Sequence, residues 1–124
     1  MKKILIIEDD LVLSQTISAN LIHEGLDIEI MLAHDGEEGL ASALSAKPDL
    51  ILLDIILPKM DGITMLNALR KDEWGKGVPV IVLSNLSAPE NVTAAVIDDV
   101  REYLVKVDWK IADVVKRVRE MLKL

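Results

Sequence analysis

Five side chains able to do chemistry stand where apolar runs end. Glu8 and Asp9 follow Ile4 to Ile7, Asp54 follows Leu50 to Leu53, Ser84 follows Val78 to Leu83, and Lys106 follows Tyr103 to Val105. Taken singly, each is ordinary: turn acids, a turn hydroxyl and a surface lysine. Brought together, they describe a site. Carboxylates within about 4 to 6 Å repel, and one pair of unit charges at about 4 Å is worth roughly 4 kcal/mol at an effective dielectric near 20. A hard divalent cation removes that cost. An all-oxygen donor set, with no His or Cys in these runs, points to Mg²⁺, which takes one or two carboxylates and completes its shell with water and phosphate oxygens. An aspartate beside such an ion is a suitable nucleophile for phosphoryl transfer, with an ammonium and a hydroxyl to hold the other phosphoryl oxygens.

Such convergence needs strand tips on one edge of a sheet, and the hydropathy pattern supplies them. The central stretch is Pro48 to Gly62, PDLILLDIILPKMDG. Its short apolar run, bounded by Pro and by a Pro/Gly loop, reads as a strand buried on both faces of a parallel sheet. Asp54 then lies at the carboxyl end, where ligand crevices form in open α/β sheets. Ile4 to Ile7 reads as the first strand. A helix follows with Leu13, Ile17 and Leu21 on one stripe, Asp10 as its N-cap and Gly25 as its stop. Asp27 to Ala33 alternates as an edge-side strand. The turn His34-Asp35-Gly36 opens a second helix with Leu40, Ala43 and Leu44 inward, and Gly62 opens a third through Leu66 and Leu69. That helix gives way to the charged, glycine-containing segment Lys71 to Gly77. Val78 to Leu83 is the fourth strand, Pro89 to Ile97 a weaker fourth helix with Val92, Ala95 and Val96 inward, and Tyr103 to Val105 the fifth strand. Ile111, Val114, Val115, Val118 and Leu122 mark the last helix. Strand and helix alternate five times, which requires right-handed crossovers and a parallel sheet covered on both sides.

Composition narrows the function classes. The chain has 124 residues, the size of one domain. Its aromatics are Trp74, Trp109 and Tyr103, so the core is aliphatic. The absence of cysteine excludes disulfides, thiolate metal sites and a thiol nucleophile, and suits a reducing cytoplasm. The start, MKKILIIEDD, has too short an apolar stretch for a signal-peptide core or a membrane span. A net charge of -7 disfavours direct binding to nucleic acid or an anionic membrane.

The acids after the first strand, the run from Asp54 to Gly62 of the form DIxLPxMDG, the hydroxyl of Ser84 after the fourth strand, and Tyr103-x-x-Lys106 at the fifth together resemble the receiver domain of two-component response regulators. The resemblance covers the chain from Lys3 to about Leu122. It implies a flavodoxin-like (βα)5 fold of the chemotaxis-regulator type, a doubly wound five-stranded parallel sheet in the order 2-1-3-4-5, forming a single receiver domain over residues 1–124 with no output domain. It implies that Asp54 accepts a phosphoryl group from a sensor histidine kinase or a histidine phosphotransfer protein. Asp9 would bind Mg²⁺ directly, Glu8 through water, and Ile56 through its backbone carbonyl, while Lys106 pairs with the phosphoryl oxygens. Ser84 would donate a hydrogen bond to the phosphoryl group and Tyr103 would change rotamer with it. The output face would be formed by the fourth helix, fifth strand and fifth helix, with a phosphorylation-dependent dimer as one use of it. Such a domain is a switch rather than an enzyme, promoting only its own phosphorylation and slow autodephosphorylation.

This chain also departs from the pattern. Val107 follows Lys106 where the family usually has a cis proline, and a non-proline cis bond costs about 2.5 to 4 kcal/mol, so a trans bond is expected. Asn85 replaces a small residue, and Asp99 stands where glycine is common. Ile56 and Leu86, two positions after Asp54 and Ser84, are apolar at places that flank the hydrolytic water in receivers, which implies a long-lived phosphoryl state. His23 and His34 read as surface histidines and Met31, Met60 and Met65 as core filling. Trp109 reads as an anchor for the last helix, and Trp74 as either local packing or a partner contact. Rival readings keep Asp54 but change its use. An aspartate-nucleophile phosphatase of the haloacid-dehalogenase type needs an acid at position 56. A flavin module needs a phosphate loop in place of Glu8-Asp9-Asp10, and a degenerate receiver would only bind partners.

Overall fold

The computed structural model describes residues 1–84, 102–105 and 110–123, with the backbone alone for 84 and 102–105. The elements are β1 (Lys2–Ile7), α1 (Leu11–His23), β2 (Ile28–Ala33), α2 (Gly36–Ala46), β3 (Leu50–Asp54), α3 (Gly62–Lys71), β4 (Val80–Ser84), β5 (Glu102–Val105) and a C-terminal helix (Ile111–Leu122). One five-stranded sheet runs in the order β2-β1-β3-β4-β5, and every neighbouring pair is parallel. This is the flavodoxin-like arrangement expected. The fourth helix read over Pro89 to Ile97, and Trp109, lie outside the described residues.

Alternation along each strand divides the core in two. Leu5, Ile7, Ile51, Leu53, Val80 and Val82 face α2 and α3, packing with Ala43, Met65, Leu66 and Leu69. Ile4, Ile6, Leu50, Leu52, Ile81 and Leu83 face α1 and the C-terminal helix, packing with Ile17, Leu21, Val114 and Val118. Both faces being covered explains why all five residues of β3 are buried. Among the described residues, no helix is long and apolar enough to cross a membrane.

Two elements differ from the sequence reading. Leu44 is 38% exposed rather than inward. The inner face of α2 is built from Gly36, Gly39 and Ala43 instead, because the helix lies so close to β1 that a β-carbon on Gly39 would sit 2.7 Å from Ile7 Cδ1. A leucine cannot occupy the Gly39 position, although Leu40 and Ala43 pack on this core as expected. β4 begins at Val80, since Pro79 has no amide to donate, although its carbonyl still accepts from Ile51 N at 3.1 Å. Trp74 is half-buried and packs on the α2/α3 core, as the local-packing reading expects. Its loop is held by Arg70, whose Nη1 donates to the carbonyls of Gly75 and Val78, both at 2.7 Å.

Aspartates start the first three helices. Asp10, Asp35 and Asp61 accept from Leu13 N, Glu38 N and Thr64 N at 3.1, 2.8 and 2.8 Å. Each cap satisfies a first-turn amide and contributes about 1 kcal/mol. Gly25, at φ 73°, follows the end of α1 in the left-handed conformation that the sequence stop signal requires.

Candidate functional site

Register brings the acids together. Ile7 pairs with Leu53 across β1 and β3, so Glu8 and Asp54 leave adjacent central strands at the same level. Oxygens of Glu8, Asp9 and Asp54, one from each carboxylate, lie within 4.8 Å of one another. Glu8 is 3% and Asp54 4% exposed, whereas Asp9 is open to solvent. The two buried carboxylates are held from their own loops: Glu8 Oε2 accepts from Asp10 N at 3.2 Å, and Asp54 Oδ1 accepts from Ile56 N at 3.3 Å.

The loop after Asp54 turns back on itself. Gly62 N donates to Ile55 O at 2.7 Å, and a β-carbon on Gly62 would sit 2.3 Å from Asp54 O, so only glycine fits there. Lys59 takes a left-handed φ of 66°. Ile56 is 55% exposed on this loop, an apolar side chain within two residues of the buried aspartate.

Of the residues singled out from sequence, Glu8, Asp9 and Asp54 are thus assembled. Ser84 ends β4 one residue after Leu83, the partner of Asp54, and pairs with Val105, so the backbone of both strands reaches the edge where the acids lie. Tyr103 pairs with Val82 on β5. Lys106, Val107, Asn85, Leu86 and Asp99 lie outside the described residues.

One residue near the site was not legible as part of it. His34, read as a surface histidine, is half-buried, and its Nδ1 lies 3.2 Å from the carbonyl oxygen of Glu8. A carbonyl only accepts, so the hydrogen bond places the proton on Nδ1. The available signal was strand order: β2 neighbours β1, so the turn that leaves β2 emerges beside Glu8.

The donor set fits a hard divalent cation. Three carboxylates share one small volume, two of them almost fully withdrawn from water, and their repulsion is strongest where water cannot screen it. All are oxygen donors, matching Mg²⁺ or a similar hard ion rather than a thiolate-binding metal.

Comparison with known proteins places this geometry. The model of the response regulator receiver domain matches residues 4–119. The chain belongs to the response regulator receiver family. It is 37% identical over 123 residues to the DNA-binding dual master transcriptional regulator RpaA of Synechocystis sp., covering 99% of this chain and 50% of that protein. It is 35% identical over 123 residues to the response regulator ArlR of Staphylococcus saprophyticus, covering 99% of this chain and 53% of the relative. The receiver therefore spans about half the length of these curated relatives.

Among solved structures, the receiver domain of the Francisella response regulator 1452 superposes with a TM-score of 0.86 at 32% identity, covering 99% of this chain and 98% of that one. The receiver domain of the sensor histidine kinase PA1611 of Pseudomonas aeruginosa, described with a magnesium ion coordinated in its active-site cleft, superposes with a TM-score of 0.84 at 28% identity, with the same coverages. Receivers are the signalling switches of two-component systems and pair with histidine kinases.

Proposed function

We propose that this receiver is a phosphorylatable switch in which Asp54 takes a phosphoryl group from the phosphohistidine of a sensor kinase or a histidine phosphotransfer protein. The observation that carries the reading is the buried Asp54 carboxylate with Glu8 and Asp9 within 4.8 Å. An Asp54 oxygen attacks phosphorus and the P–N bond breaks. The bonding electron pair leaves with the imidazole, which departs as neutral histidine because its other ring nitrogen already carries a proton taken from solvent, and Asp54 carries an acyl phosphate. Bound Mg²⁺ would neutralise charge that the acids and the incoming phosphoryl group would otherwise crowd into one volume.

Each residue has a distinct task in this reading. Asp9, the exposed acid, would hold the cation directly, buried Glu8 would hold it through water, and the Ile56 carbonyl would supply a further oxygen. Lys106, as a compact point charge, pairs with the phosphoryl oxygens. Ser84 donates a hydrogen bond to the phosphoryl group, and Tyr103 follows it. The acyl phosphate adds about two negative charges, and only groups that touch it differently in two conformations shift their balance. In this reading the output face, and the surface for a phosphorylation-dependent dimer, comprises the fourth helix expected from the sequence, β5 and the C-terminal helix. The domain promotes its own phosphorylation and slow dephosphorylation, and acts in the cytoplasm on protein partners rather than on nucleic acid.

Incubation with a small phosphoryl donor and Mg²⁺, read by intact mass, tests the proposal. A single-phosphate adduct that is absent in Asp54→Asn is expected. An adduct that survives in Asp54→Asn, or none in the unaltered chain, rejects it.

A further inference from the structure

Three consecutive residues at the start of α2 touch both loops that carry the acids. His34 Nδ1 donates to the Glu8 carbonyl at 3.2 Å, on the β1–α1 loop. Just before it, Ala33 O accepts from Glu8 N at 3.0 Å, so both backbone polar groups of Glu8 are engaged by residues 33 and 34. Asp35 Oδ2 lies 3.7 Å from Lys59 Nζ, on the β3–α3 loop, while its Oδ1 caps α2. Gly36 meets the same loop still more closely, for a β-carbon there would sit 1.8 Å from the carbonyl oxygen of Met60. That approach is backbone against backbone, so it cannot be relieved by a side-chain rotation.

We infer that the His34-Asp35-Gly36 turn is a positioning strap that sets the separation between Glu8 and Asp9 on one loop and Asp54 and its following loop on the other, and so tunes the affinity of the acid cluster for a divalent cation. The inference rests on the reading of that cluster as a cation site. Groups that orient the ligands of a metal typically change its affinity by about 10-fold to 100-fold when removed. The three contacts do not carry equal weight. In the Lys59–Asp35 pair the lysine side chain is 64% exposed and the aspartate 13%, and at 3.7 Å with solvent screening from the lysine side the pair contributes little, so Lys59→Asn is expected to weaken binding by no more than about threefold. Asparagine also tolerates the left-handed backbone at that position. His34, half-buried on a carbonyl of the acid loop, carries more, as does Gly36.

The test is Mg²⁺ titration by calorimetry on the 124-residue chain, alongside amide hydrogen exchange without metal and a thermal melt. His34→Ala is expected to bind Mg²⁺ about tenfold more weakly, at the low end of the range for such orienting groups, and to exchange faster at the Glu8 amide, while its melting temperature stays near that of the unaltered chain. His34→Asn, whose amide reaches the same carbonyl, restores both readouts, which a loss of packing alone would not allow. Gly36→Ala speeds exchange at the Gly62 amide, and His23→Ala, on the last turn of α1, changes nothing. Unaltered Mg²⁺ affinity and exchange in His34→Ala, or failure of His34→Asn to restore them, overturns the inference even if Gly36→Ala does not fold. Should the unaltered chain bind no Mg²⁺, the cation reading falls, while exchange at Glu8 and Gly62 still decides whether the strap exists.

Discussion

In the proposed switch, the side chain of Ile56 would set the lifetime of the phosphoryl group without taking part in its transfer. It stands 55% exposed two residues beyond Asp54, with no polar atom to orient a water toward an acyl phosphate. A hydrogen bond to that water would be worth about 0.5 to 1.5 kcal/mol, or roughly two- to tenfold in rate. Ile56→Asn is therefore expected to shorten the half-life of the phosphorylated chain by about that factor, followed by intact mass after the phosphoryl donor is removed. Loss of the adduct within seconds in the unaltered chain would contradict the long-lived state that Ile56 and Leu86 imply. Nearby Gly62 works by absence, since any β-carbon would push on the carbonyl of Asp54 itself.

At the scale of elements, α2 is the instructive case. Its inner face is small because β1 lies against it, and Gly39→Ala would drive a methyl to within 3.0 Å of three atoms of the fully buried Ile7. Overpacking of this kind costs about 1 to 3 kcal/mol, so chemical denaturation of Gly39→Ala should show a loss in that range with the denaturant slope unchanged. The same helix marks the limit of what sequence shows. Strand alternation and the stripes of α1, α3 and the C-terminal helix were legible because apolar residues recur at the period of the element. Leu44 misled because period identifies a face but not how near its neighbour stands, and closeness selects glycine over leucine. Glu8, Asp9 and Asp54 were legible because each ends an apolar run. His34 was not, since its meaning depends on a neighbour 26 positions away and on strand order rather than on any local pattern. Lys106 and the fourth helix belong to stretches outside the described residues, and their roles stay expectations.

Across the whole molecule, stability and site are coupled through charge. The sheet gathers three carboxylates on one edge of a protein that already carries a net charge of -7. A cation that binds only the folded chain stabilises it by about 1.4 kcal/mol at ten times its dissociation constant, which for a domain of this size raises the melting temperature by roughly 5 °C. Scanning calorimetry with Mg²⁺ and with chelator should show that shift in the unaltered chain and a smaller one in Asp9→Asn. Equal midpoints in both conditions would mean that the folded acids have no preference for the ion.

The opposite pole of the sheet carries Trp74, which lines one cavity with Pro48 and Pro79 just before β3 and β4 begin, in a loop held by the Arg70 clamp. A five-residue strand at about 3.3 Å per residue separates the two ends of β3, and so the level of Trp74 from that of the acids, by roughly 15 Å. In a Trp109→Phe background the fluorescence of Trp74 becomes an internal witness to the scaffold. Emission that holds steady while ions come and go would certify that events at the far pole leave the frame intact, and emission that moves with them would reveal a domain that flexes from end to end.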